Sequence, residues 1–243
     1  MSHLFCFLAE QAQPDHWLIK EQELVHLTKV LRLKVGDKVQ VFDGNGASGE
    51  GVITDLSKTQ AQVTARTIAS TAKTGSLTLA ISALKPGSLD EIIPPLVELG
   101  VTNLCVFLSK GHEKSRLAAE KLGRWQKIAL ASTKQSKRNY LPKIEIFSDL
   151  KTLLAAKNIK EGLKIYLDPQ GERHAYQKIA TANEMFVVLG SEQGLSLEEI
   201  SWLNELNFSP VTLGPYILRA KTAAISLCSL FHASWPRSDI NPI

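Results

Sequence analysis

The chain has 243 residues, 44% of them apolar, with a net charge of +4 and a sequence pI near 8.9. That composition sets aside a disordered or fibrous polypeptide and leaves room for one large or two small domains. Apolar runs such as 104–108 and 185–189 fall far short of the roughly 20 residues needed to cross a bilayer.

The chain opens MSHLFCFLAE, without a basic leader or a long apolar segment, so a cytoplasmic protein is expected. Up to residue 71 the pattern is short alternating segments at 4–8, 39–42, 51–56 and 60–68, broken by the turn-rich Asp43-Gly44-Asn45-Gly46. This predicts a small β-barrel, interrupted by a helix over 21–30 and a turn at Gly36-Asp37. The Ala-, Ser- and Thr-rich stretch 69–76 is the candidate linker, dividing the chain into 1–72 and 73–243. Beyond it strands alternate with helices. Strands are predicted at 77–84, 104–108, 164–167, 185–189 and 211–213, and helices at 89–99, 117–135, 197–206 and 219–232. Such alternation implies an α/β domain with a mostly parallel sheet and ligands at the carboxyl ends of its strands.

Between Lys110 and Lys143 stand ten Lys or Arg against Glu113 and Glu120, a net of +8 that leaves −4 for the rest. On the helix over 117–135, Ala118, Leu122, Trp125, Ala129 and Ser132 share one face, while Arg124, Lys127, Lys134 and Arg138 share the other. The basic face suits phosphate binding, and a merely solvated helix would look the same. Cys6, Cys105 and Cys228 form no Cys-x-x-Cys pair, and His3, His16, His26, His112, His174 and His232 are scattered, so neither a disulfide framework nor a metal site is expected.

Two C-terminal loops hold the candidate chemistry. Gly190-Ser191-Glu192-Gln193-Gly194 follows an apolar strand, and Ser196 with Glu199 three residues on forms a capping-box start for the next helix. This places the glycines in a strand-to-helix loop without Walker or dinucleotide spacing. The second loop, Leu213-Gly214-Pro215-Tyr216-Ile217-Leu218-Arg219, leads into the small-residue stretch Ala220-Lys221-Thr222-Ala223-Ala224. Taken alone, each is compatible with a plain connection as well as with a ligand site.

Taken together, the motifs resemble the RsmE family of bacterial 16S ribosomal RNA uracil-N3 methyltransferases, of the SPOUT class. HLTKVLRLKVGD at 26–37 is similar to the family's HL-x-x-VLR-x-x-x-GD, continued by Phe42-Asp43-Gly44. Lys85 with Asp90, ELGV at 98–101, Arg124-Trp125, QSKR at 135–138 and Pro142 follow in the family's order. GSEQGLS at 190–196 stands for GPEGGFS, and LGPYILRAKTA at 213–223 for LG-x-RILR-x-ETA.

The resemblance implies a PUA-like N-terminal barrel for RNA, a SPOUT domain with a C-terminal trefoil knot, and a homodimer acting on 16S ribosomal RNA of the small subunit. It implies S-adenosylmethionine bound by Leu189, Gly190, Glu192, Gly194, Leu213, Gly214, Ile217, Leu218 and Thr222. Arg219 becomes the candidate catalytic group, and Arg32, Lys127, Lys134 and Arg138 the candidate RNA contacts. Four residues depart from the family pattern: Ser191 for proline, Gln193 for glycine, Tyr216 for arginine and Lys221 for glutamate. Ser191 loosens the first loop, Gln193 crowds it if that position needs a positive φ, and Lys221 reverses a charge. These changes fit either a compensated divergent branch or an altered or lost activity. An RNA-binding assembly factor of the same fold, or a methyltransferase for another nucleotide, would carry the same features.

Overall fold

The computed structural model describes residues 4–70, 75–84, 87–108, 116–157, 159, 162–173 and 176–233. Lys85, Lys110, Glu113, Lys114, His3, His112, His174 and positions 71–74 of the expected linker lie outside the described residues. By their contacts the described residues fall into two units, one of 4–70 with Thr133–Leu141, the other of 75–132 with 142–233.

The first unit contains β1 (Phe5–Leu8), β2 (Glu10–Gln13), β3 (His16–Lys20), α1 (Glu21–Val25), β4 (Lys38–Phe42), β5 (Ala47–Leu56) and β6 (Gln60–Ser70). The strands form one sheet in the order β1-β4-β5-β6-β3-β2, antiparallel except for the parallel β1–β4 pair. Among the described residues no ladder joins β1 to β2, so the expected barrel is a half-barrel. Only Ala9 separates β1 from β2, too little chain for the two-residue loop that a hairpin needs, and β2 is exposed along its length. Alternation is clean where one face is buried: Trp17 and Ile19 on β3, Val39 and Val41 on β4, and Val63 and Ala65 on β6 point inward. The helix over 21–30 divides into α1 and a π turn, His26–Val30, closed by the Leu31 N–H donating to the His26 carbonyl at 3.0 Å. Residues Thr133–Leu141, beyond the division at 72, make their contacts in this unit: the Gly46 N–H donates to Asn139 at 3.1 Å and the Leu141 N–H to Gly44 at 2.9 Å.

The second unit contains β7 (Ser76–Ser82), α2 (Ser88–Glu98), β8 (Asn103–Phe107), α3 (Arg116–Gln135, up to Ser132), β9 (Lys143–Phe147), α4 (Leu150–Ala156), β10 (Leu163–Glu172), α5 (Tyr176–Thr181), β11 (Glu184–Leu189), α6 (Leu197–Glu205), β12 (Ser209–Val211) and α7 (Ala220–Ala233). All its strands are parallel, in the order β12-β10-β11-β7-β8-β9. Both faces are covered, which explains the continuous apolar runs. Met185, Val187 and Leu189 pack with residues of α2, α3, α5 and α7, while Phe186 and Val188 pack with those of α4 and α6.

Candidate cofactor site

The neighbours β10, β11 and β12 deliver three chain segments to the carboxyl edge of the parallel sheet, and a cavity of about 290 Å³ opens there. β10 contributes Leu167, Asp168 and Pro169; β11 and its loop contribute Leu189, Gly190, Ser191, Glu192 and Gly194. After β12, Thr212, Leu213, Tyr216, Ile217, Leu218 and Arg219 line it, and α7 closes it with Ala220 and Ala223.

The first loop is a tight turn. The Gly194 N–H donates to the Ser191 carbonyl at 2.9 Å, and the Gln193 N–H meets the Ser191 hydroxyl at 3.3 Å. Gly190 is required by space, because a Cβ there would sit 2.5 Å from the backbone of Gly194. Gly194 is required by conformation, with φ +84 and open space around it. The crowding feared at Gln193 does not arise, since the left-handed position is Gly194 and Gln193 has no positive φ. Both halves of the capping box form: the Ser196 N–H donates to Glu199 at 2.7 Å and the Glu199 N–H to Ser196 at 3.2 Å.

Of the residues expected to hold the cofactor, Leu189, Gly190, Glu192, Gly194, Leu213, Ile217 and Leu218 line the cavity, as does Arg219. Gly214 does not; its carbonyl instead accepts from the Thr212 hydroxyl at 3.2 Å. Thr222 is likewise outside the lining, and it is exposed. Ala220 and Ala223 share one helical face three residues apart, and at about 100° per residue Thr222 points elsewhere. The residue-level signals missed the β10 wall, where Asp168 brings a carboxylate. Its Oδ1 accepts from the Gln170 N–H at 2.7 Å. Burial, and then the Asp168 charge, push the nearby Tyr166 phenol up. The lining thus combines apolar walls, backbone groups, two carboxylates (Asp168 and Glu192) and one cation (Arg219). Among the described residues no group of three or more His, Cys, Asp or Glu could hold a metal.

The candidate RNA contacts divide between the two units. Arg32 belongs to the first unit, exposed and in the left-handed region with φ 55. Lys127 is exposed on α3. Lys134 pairs with Glu23 at 3.0 Å with 18% of its side chain exposed, and its Nζ lies 5.6 Å from the centre of the Phe7 ring. Arg138 is half-buried, and that burial lowers its guanidinium pKa. Arg124, exposed, pairs with Asp90 at 2.8 Å. A helical period fixes which side chains share a face, and the partner waiting opposite that face is set by the fold. Lys221 likewise has a partner, Glu91 on α2, so the reversed charge is compensated.

The family of the RNA methyltransferase domain matches residues 71–232, and that of the RNA methyltransferase PUA domain matches 19–65. The chain is 32% identical over 205 residues to ribosomal RNA small subunit methyltransferase E of Synechocystis, covering 83% of this chain and 67% of that protein. With the enzyme of the same name from Mesomycoplasma hyopneumoniae it is 28% identical over 229 residues, covering 92% and 97%. The crystal structure of the Neisseria gonorrhoeae enzyme of that name, bound to S-adenosyl methionine, superposes with a TM-score of 0.80 at 24% identity, covering 96% of this chain and 98% of that one. With a PUA-like half-barrel followed by a parallel α/β RNA methyltransferase domain, the chain belongs to the ribosomal RNA small subunit methyltransferase E family.

Proposed function

We propose that the chain methylates N3 of a uracil in 16S ribosomal RNA, using S-adenosylmethionine bound in the cavity at the carboxyl ends of β10, β11 and β12. The observation that carries this is the convergence of three strand ends and both glycine-containing loops on one cavity, in a chain of this family. The lining fits the cofactor. Apolar Leu189, Leu213 and Leu218 offer walls for its adenine, turned backbone offers polar groups, and Asp168 and Glu192 suit a ligand that carries positive charge. When bound, S-adenosylmethionine supplies an electrophilic sulfonium methyl group.

The task left to the protein is alignment of N3 with that methyl carbon and removal of the N3 proton, which passes to solvent as the new C–N bond replaces the C–S bond. Arg219, exposed at the cavity mouth, polarises the uracil carbonyls and stabilises the negative charge that develops on the ring. Lys127 and Arg32 are the exposed cations assigned to phosphates, with Lys134 and Arg138 in structural roles. Residues 1–72 with Thr133–Leu141 form the RNA-holding part. A homodimer, a trefoil path through the C-terminal segment and a cytoplasmic location belong to the same reading; among the described residues no helix is long and apolar enough to cross a membrane.

Mass mapping of ribosomal RNA from a strain lacking the protein tests the proposal: one uracil methyl group should disappear and return on complementation. Loss at a different nucleotide, or none, would overturn it. Calorimetry with S-adenosylmethionine separates a lost reaction from a lost cofactor. In the catalytic assignment, Arg219→Ala should still bind cofactor while methyl transfer falls, and undiminished transfer would remove Arg219 from that role.

A further inference from the structure

At about 290 Å³ the cavity lies near the lower end of the range for small-ligand sites, so a cofactor-sized molecule would fill it and leave the mouth for a receiving nucleotide. The mouth carries exposed Pro169, Glu192, Tyr216, Ile217 and Arg219. Among the described residues Tyr216 is the only aromatic side chain in the lining, and it is 81% exposed. Among the described residues it has no hydrogen-bond or ring-contact partner. A ring this exposed adds little to folding, because an aromatic side chain stabilises chiefly by being buried. Pro215 precedes it with a fixed φ, and Arg219 follows on the same loop.

We propose that Tyr216 stacks on the nucleobase to be methylated, holding its plane at the mouth while Arg219 addresses its edge. This rests on the methyltransferase reading of the cavity. It also gives a meaning to the departure at this position, where the family resemblance calls for arginine. A neutral ring takes over from a cation, and the contact no longer depends on charge. Stacking of a base on an aromatic ring is worth about 1–3 kcal/mol, and 1.4 kcal/mol is about tenfold in affinity.

The test compares the full-length wild type, Tyr216→Ala and Tyr216→Phe on small ribosomal subunits from a strain lacking the protein, with labelled S-adenosylmethionine as donor. Tyr216→Ala should raise KM for the subunit about tenfold or more, by the same factor at low and high salt, and leave cofactor affinity from calorimetry unchanged. Tyr216→Phe should behave like the wild type. The proposal is overturned if Tyr216→Ala leaves KM unchanged, if the two variants are equally impaired, if the defect shrinks with salt, or if cofactor affinity falls in step. A wild type that binds S-adenosylmethionine yet methylates no subunit would overturn the functional reading itself, and the stacking proposal with it.

Discussion

The indole N–H of Trp125 donates to Oδ1 of Asp90 at 2.9 Å, tying α3 to the first turn of α2. The other oxygen of that carboxylate takes Arg124 at 2.8 Å. Trp125 is 6% exposed, so loss of its acceptor leaves a polar group without water to replace it. Asp90→Ala should lower stability by about 1–3 kcal/mol in chemical denaturation. Asp90→Asn, which keeps an acceptor for the indole, should lose less. Equal losses would mean that the indole bond contributes nothing.

The two glycines of the first loop are needed for different reasons, and substitutions should separate them. Gly190→Ala sets a Cβ against backbone at 2.5 Å, with no flexible side chain to give way. Gly194→Ala meets no atom and suffers only the left-handed backbone, about 1–2 kcal/mol. Cofactor affinity by calorimetry should therefore fall much further for Gly190→Ala. The reverse order would contradict this account of the turn.

Lys221 and Glu91 invite a charge exchange. Lys221→Glu sets two carboxylates side by side and should lower stability by up to about 1 kcal/mol, modest because both side chains are partly exposed. Adding Glu91→Lys should restore it, as read from denaturation midpoints in a double-mutant cycle. If the double variant is no better than the single one, the pair does not stabilise α7 against α2.

Glu145 sets an acid-side dependence. Burial acts to raise its carboxyl, but the hydrogen bond and charge of Lys157, followed by those of Lys143 at 3.3 Å, hold it below the ordinary value of 4.5. A folded-state pKa depressed in this way contributes stability that is fully present above the unfolded value and lost as pH falls through the folded one. Wild-type stability should thus drop more steeply below about pH 4.5 than that of Glu145→Gln. Parallel pH profiles would show that the two lysines do not stabilise the charged carboxylate.

What could be read in advance follows from the range of each signal. The first loop was legible because its glycines, its capping pair and the apolar strand before it lie within the fifteen residues 185–199. The β10 wall was not, because nothing local in Leu167-Asp168-Pro169 says that β10 lies between β11 and β12. The division of strands from helices after residue 75 was legible from periodicity, yet α4 and α5, with seven and six residues, span no more than two turns and show too little period to be found. Trp125 on the packed face of α3 followed from helical period. The fate of Lys134 did not, since its partner Glu23 is 111 residues away in sequence. Gly194 rather than Gln193 carries the left-handed turn, a choice that composition alone leaves open.

The nine residues Thr133–Leu141 bear on how the protein can be dissected. Chain ended at residue 72 would lack the cation that answers the 13%-exposed Glu23 carboxylate and the backbone partners of Gly44 and Gly46. The half-barrel is therefore not a contiguous cassette. Gene fusions, fragment expression or domain shuffling that treat its first seventy or so residues as a transferable module would deliver it with one seam open, and any RNA-binding measurement on such a piece would report on an incomplete fold.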